Sequence, residues 1–358
     1  MAPTTSAPAS RGRPPAAEGA AGSPGGRRTR RRVAAVLAVL LLAAVVIASL
    51  AIGSRPVPPS DVWAALTGGE VSGPDRAAVV DLRLPRTVAG LVVGAALGVA
   101  GAVIQALTRN PLAEPGVLGV NSGAGFAVAI SVAFLGVTEP SGYVWFALVG
   151  AFLTTCAVFV VGSLGVRSPR PEQLLLAGVA FSAVLAGMIS AIRLSDPERF
   201  TALQAWEAGS LRDRGWDVIV PALPFLALGV LVALLLGGSL NALALGEDRA
   251  ASLGASVAWT RGGAILVITL LAGGATAIAG PIAFVGLMIP HAARWLTGPD
   301  QRWIMTLSFL LAPILLLVSD IIGRVIMWPG EVPVGIVTAF LGGPALIWLV
   351  RRRMVSAL

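Results

Sequence analysis

Few residues in this chain could do chemistry, and the missing types exclude whole classes of reaction. There is one histidine, His291, and one cysteine, Cys156, in 358 residues. A lone His permits no multi-histidine metal site, and a lone Cys permits no disulfide within the chain. All 26 basic residues are arginine. A phosphate loop of the GxxxxGK[ST] type needs a lysine on the β- and γ-phosphates, and Schiff-base chemistry needs a lysine amine. The chain is therefore neither a P-loop ATPase nor a pyridoxal enzyme. With one His and no H-E-x-x-H pattern, a membrane-embedded hydrolase has neither a metal cluster nor a base to work with. No catalytic residue, cofactor or metal ligand is expected, so any energy coupling has to come from another chain.

Two ionisable residues stand out by position. Asp320 is the only acid inside an apolar run, and an ionisable group at membrane depth is a functional candidate by default. Arg324 follows one helical turn later, which favours a structural ion pair. His291, next to Pro290, has no second His, nucleophile or acid nearby in sequence, so neither metal binding nor catalysis is expected of it.

The elements that position these residues are read from hydropathy. Hydrophobic residues make up 56% of the chain and charged residues 12%, against roughly 25% in soluble domains. The mean hydropathy is +0.85. Such a chain lacks the polar surface of a water-exposed fold and reads as an all-α membrane protein. The net charge of +8 does not indicate nucleic acid. It resides in the first 32 residues and in Arg351, Arg352 and Arg353, with an almost neutral body between them. Basic ends of that kind suit the anionic lipid of a cytoplasmic leaflet.

Residues 1–32, rich in Arg, Pro, Ala, Gly and Ser, are expected to form a disordered tail, residues 33–353 the transmembrane domain and 354–358 a short C-terminal tail. The first apolar run, Val33 to Ile52, could pass for a secretory signal after its basic flank. Its length and the spans that follow favour an anchor. Nine further runs follow: Thr87–Leu107, Gly116–Val137, Tyr143–Val166, Gln173–Ile192, Val218–Leu240, Gly262–Gly280, Pro281–Leu296, Trp303–Ile322 and Val332–Val350. Gly280-Pro281 splits a stretch too long for one ordinary crossing. Ten spans put both termini on one side, which then holds 17 arginines against nine, so the positive-inside rule places the termini in the cytoplasm. Gly90, Gly94 and Gly98 form one bare face on the second span, expected to pack within the chain.

Between the spans the sequence becomes specific. Five segments carry the signal: Leu82-Arg83-Leu84-Pro85-Arg86; Thr108 to Gly123 with its Asn110-Pro111-Leu112-Ala113-Glu114-Pro115-Gly116 core; Leu243 to Gly254; Gly280 to His291; and Pro329 to Thr338. Together they resemble, in order, the motifs of the FecCD family, the membrane permeases of ABC importers for iron-siderophores, heme and vitamin B12. The resemblance implies a ten-helix subunit with a vitamin B12 permease-like (type II importer) fold, working as a homo- or heterodimer in the cytoplasmic membrane. It implies three kinds of partner besides lipid: two cytoplasmic ABC ATPase subunits, an extracytoplasmic substrate-binding protein and a second permease subunit.

It also implies sites. The segment at about 241–254 looks like the family's coupling helices, with Leu245, Gly246, Glu247, Asp248, Arg249, Ala250, Leu253 and Gly254 meeting the ATPase. Physically it suits a helix-prone loop bounded by Gly246 and Gly254. Arg83, Arg86 and Arg324 match positions that receive acidic side chains of the binding protein; an alternative is pairing with Asp81 and Asp320 or anchoring at helix ends. The pathway is expected from spans five, eight and ten, with Ser182, Gly187, Gly286 and Thr338. The vitamin B12 permease has small hydroxyl residues as its cytoplasmic gate, whereas this chain reads Arg167-Ser168-Pro169-Arg170-Pro171-Glu172-Gln173. The gate region at Pro171 and Glu172 is therefore transferred as a location only. The expected function is translocation of a ferric siderophore or related iron chelate. The alternative, an ion-coupled secondary carrier, would need buried carboxylates or His in broken helices, and apart from Asp320 the runs hold almost none.

Overall fold

The computed structural model describes residues 24–53, 56–137, 139–164, 171–195, 204 and 206–355. The regular elements among them are all helical: α1 (Pro24–Ala51), α2 (Pro59–Thr67), α3 (Gly73–Ala77), a π-helical stretch Ala78–Arg83 leading into α4 (Leu84–Thr108), a 3-10 turn Pro115–Leu118, α5 (Val120–Leu135), α6 (Pro140–Gly162), α7 (Pro171–Ser195), α8 (Trp216–Ala244), α9 (Glu247–Ser252), α10 (Val257–Ala279), α11 (Val285–Thr297), α12 (Gln301–Ile326) and α13 (Val334–Val355). Each expected span coincides with one helix. Seven helices are long and apolar enough to cross a membrane by length and composition: α1, the continuous Gly73–Thr108 unit, α6, α7, α8, α10 and α12. Of the other three spans, two fall on shorter apolar stretches, α5 and the Val334–Trp348 part of α13, and one falls on α11.

Two boundaries differ from expectation. α1 begins at Pro24, so Arg27 to Arg32 belong to a helix and not to a disordered tail. Arg31 explains part of this, since its Nε donates to the Thr297 carbonyl at 2.8 Å and its guanidinium pairs with Asp300 at 3.3 Å. At the other end α13 continues through Val355, into the expected C-terminal tail. α11 has 13 residues, which rise only ~20 Å at ~1.5 Å each. Non-helical residues 280–284 complete that passage. Irregular backbone at such depth is tolerated only where protein covers it, and here it does: a Cβ on Gly280 would lie 1.9 Å from the Trp206 carbonyl, one on Gly209 2.6 Å from the Pro281 carbonyl, and Phe284 N donates to Glu114 at 2.8 Å.

α4 is the centre of the bundle, with most of its residues buried. Its glycine face packs within the chain as expected. A Cβ on Gly90 would lie 2.5 Å from Leu317, one on Gly94 2.6 Å from the Pro313 backbone and one on Gly98 2.6 Å from the Ser308 carbonyl, all on α12. Close backbone approach substitutes for the hydrophobic drive that lipid removes. α7 is the opposite case, with only 17% of its apolar window covered by this chain.

The ends of the bundle are distinct. The start of α1 and the last turns of α13 both lie against the α11–α12 junction, through Arg31 on Thr297 and Asp300 and through the Trp295–Trp348 ring contact at 5.7 Å. Both helix ends therefore share one side of the bundle.

Candidate functional site

At the end opposite the termini, a cavity of about 600 Å³ opens among Arg83, Arg86, Arg324, Glu331 and the Arg212–Asp217 segment. Its arginines are held in a buried ion network. Asp320, 1% exposed, accepts from Arg86 Nε at 3.1 Å to each oxygen and from Arg86 Nη2 at 2.8 Å. Arg324 Nε donates to the same carboxylate at 2.8 Å, and its Nη1 donates to the Ser49 carbonyl at 2.8 Å. Arg86 Nη1 reaches Glu331 at 2.8 Å. Arg83 turns toward α1, donating to the Leu50 and Ala51 carbonyls at 2.8 Å each. Of the expected docking arginines, then, Arg83 and Arg324 are buried and engaged with their own chain, and Arg86 is nearly so. The alternative pairing with Asp320 is the geometry found, which also makes Asp320 a structural counter-ion. Asp81 lines the cavity. The sequence reading did not single out Glu331 as a partner, nor Arg212 to Asp217 as a wall.

At the terminal end, α9 occupies the stretch expected to act as the coupling segment. Gly246 has φ 106° and Gly254 φ 79°, conformations that suit glycine, so the six-residue helix is flanked by turns an L-residue would strain. Leu245, Asp248, Arg249, Leu253 and Gly254 are exposed while Ala250 is buried, which separates an outward face from an inward one. Glu247 lies between, its carboxylate 2.5 Å from Arg261 Nη2 and 3.8 Å from Arg109 Nη2. Neither arginine was singled out from sequence for this role.

The expected pathway residues divide. On α7, Gly187 is exposed with open space around its Cα, and Ser182 is half-buried. Gly286 and Thr338 are enclosed by the chain itself in this conformation: Gly286 packs on the Leu97 carbonyl and Pro115, and Thr338 donates to the Gly335 carbonyl. Glu172 is exposed in the first turn of α7, which Pro171 begins. The preceding gate residues Arg167 to Arg170 lie outside the described residues. His291 is buried with its ring edge-on to Trp295 at 4.7 Å, and among the described residues no cluster of His, Cys, Asp and Glu could hold a metal.

One residue of the quoted motifs has a role that only the fold reveals. Glu114, in the connection after α4, accepts the Phe284 N–H at 2.8 Å, and burial pushes its carboxyl above the ordinary range while that hydrogen bond opposes the shift. Phe284 has φ 69°, uncommon for a non-glycine residue, and its ring fills the space over Gly342, where a Cβ would sit 2.3 Å from Cγ. Glu114, Phe284 and Gly342 thus join the α4 connection, the start of α11 and α13.

Long apolar helices with polar groups gathered at both ends of the bundle define a multi-pass membrane protein. The chain belongs to the FecCD transport family, whose profile matches residues 40–352. It is 49% identical over 306 residues, 85% of this chain and 91% of the relative, to the ferric enterobactin transport system permease protein FepD of Escherichia coli (strain K12). It is 36% identical to the Fe(3+) dicitrate transport system permease protein FecC of the same organism, over 83% of this chain and 90% of that one. With the hemin transport system permease protein HmuU of Yersinia pestis the identity is 34%, covering 76% and 83%. A solved metal-chelate type ABC transporter in an inward-facing conformation superposes with a TM-score of 0.77 at 27% identity, over 90% of this chain and 99% of that one.

Proposed function

We propose that this chain is the permease subunit of an ATP-binding cassette importer that moves a ferric siderophore or a related iron chelate across the cytoplasmic membrane. The observation that carries the reading is α9 and its setting. A short helix between two glycine turns, exposed on one face, projects from the end of the bundle that holds both termini, in a chain with no lysine for a phosphate loop. Energy then enters through two ATPase subunits at that end, which is the cytoplasmic side by its arginine content. The relatives' names, covering enterobactin, citrate and hemin transport systems, support an iron chelate as cargo. A binding protein meets the cavity end, and a second permease subunit covers α7, whose exposed apolar face this chain leaves bare. The chain itself catalyses no reaction. The carrier alternative gains nothing from Asp320, because two arginines hold it as a fixed counter-ion.

The test is reconstitution in vesicles with the ATPase and with a binding protein loaded with ferric siderophore. Accumulation of labelled iron should require ATP and both partners. Uptake by this chain alone, driven by an ion gradient, would overturn the reading.

A further inference from the structure

α9 is attached to the bundle by two covalent links that transmit little force. On one side Gly246 sits at φ 106°, ψ 156°, and on the other Gly254 at φ 79°. A glycine turn rotates with little resistance, so a partner pressing on α9 could swing the helix without moving the spans. A non-covalent link closes this gap. Glu247, at the first position of α9, places its carboxylate 2.5 Å from Arg261 on α10 and 3.8 Å from Arg109, the cap residue of α4. The Arg261 side chain is only 6% exposed, so its guanidinium is fixed against the bundle. Arg109 caps α4 at φ 50°, and Asn110 holds the following turn by accepting the Leu112 N–H at 2.9 Å.

We propose that Glu247 is the strut of the coupling segment: through Arg261 and Arg109 it turns displacement of α9 into displacement of α10 and α4. The inference rests on the reading of this segment as the ATPase contact, and it divides that segment by task. The exposed Leu245 and Leu253 meet the partner, and Glu247 faces the chain's own helices. The onward route is short. Gln105, one turn before the end of α4, donates to the Leu287 carbonyl at 3.0 Å, and Gly101 allows no side chain because a Cβ would lie 2.0 Å from the Gly286 carbonyl. Motion of the α4 terminus therefore reaches α11, which belongs to the expected pathway. A buried arginine pairing with an acid on a glycine-flanked helix suits this task, because the ion pair holds position without fixing the backbone of the turn.

The experiment uses the full chain assembled with its ATPase in vesicles. Two quantities are read: the ATPase retained on purification, and the iron chelate imported per ATP hydrolysed. Glu247→Gln should retain the ATPase and lower import per ATP by about five-fold or more, the span of a typical coupling free energy. Glu247→Asp should keep part of the coupling. Glu247→Arg combined with Arg261→Glu should exceed either single reversal, a recovery that a merely structural role would not produce. Leu253→Asp should instead reduce the retained ATPase. Unchanged import per ATP in Glu247→Gln would overturn the strut. So would loss of ATPase as large as in Leu253→Asp, which would make Glu247 a docking contact. If Leu253→Asp leaves both quantities untouched, the coupling-segment reading itself fails, and the strut with it.

Discussion

Asp320 shows how one residue can be misjudged from its sequence neighbourhood. An acid in an apolar run reads as a candidate for ion coupling, yet here it is the shared acceptor of two guanidiniums. Removing one partner from a buried network leaves uncompensated charge and costs about 3–5 kcal/mol. Asp320→Asn should therefore lower the thermal unfolding midpoint of the detergent-solubilised chain markedly, and an unchanged midpoint would show the network to be dispensable. Glu331 is 22% exposed and touches the same arginine, which keeps Asp320 as a partner, so Glu331→Gln should lower the midpoint less than Asp320→Asn does. The network also changes what reversing Arg86 measures. Arg86→Glu would set a third carboxylate beside Asp320 and Glu331, so poor folded yield should precede any loss of binding-protein affinity. Normal yield together with lost affinity would restore a docking role.

At the scale of elements, glycines separate packed seams from open faces. Gly101 of α4 meets the Gly286 carbonyl of α11, and the added methyl of Gly101→Ala should destabilise the chain by about 1–3 kcal/mol through overpacking. Gly187 of α7 meets nothing, so Gly187→Ala should be neutral in the isolated chain or stabilise it by about 0.4–1 kcal/mol. Chemical denaturation of both variants side by side measures the contrast, and equal effects would refute it. Gly246 is a third kind, open in space but at φ 106°. An L-residue there costs about 1–3 kcal/mol of backbone strain. Gly246→Val should distort α9 and reduce transport while the unfolding midpoint of the bundle stays near that of the parent chain.

For the whole molecule, the uneven cover of the helices is the informative feature. α4 is enclosed on all sides and α7 is largely bare, and a second permease copy or homologue would cover the bare side. In a Cys156→Ala background, Gly187→Cys should yield a cross-linked dimer with a short bis-maleimide in vesicles. A cysteine at Leu234, exposed on α8 away from α7, should not. Cross-linking at Leu234 alone would place the interface on the other side of the bundle.

The membrane class, the ten apolar runs, the split at Gly280-Pro281 and the glycine seam of α4 were all legible in the amino-acid order. They depend on local hydropathy and on helical periodicity, which need no knowledge of neighbours. The family followed from residue patterns in short loops. What the order of residues left undecided was pairing across distance. Arg86 lies 234 residues from Asp320 and 245 from Glu331, and Glu114 lies 170 from Phe284. Charges brought together by folding cannot be matched from composition, so three arginines expected to face a partner were found serving their own chain to different degrees. The start of α1 was settled in the same way. A basic, glycine-bearing stretch looks disordered alone, and it is a tertiary contact, Arg31 on Thr297 and Asp300, that gives the helical turn something to hold.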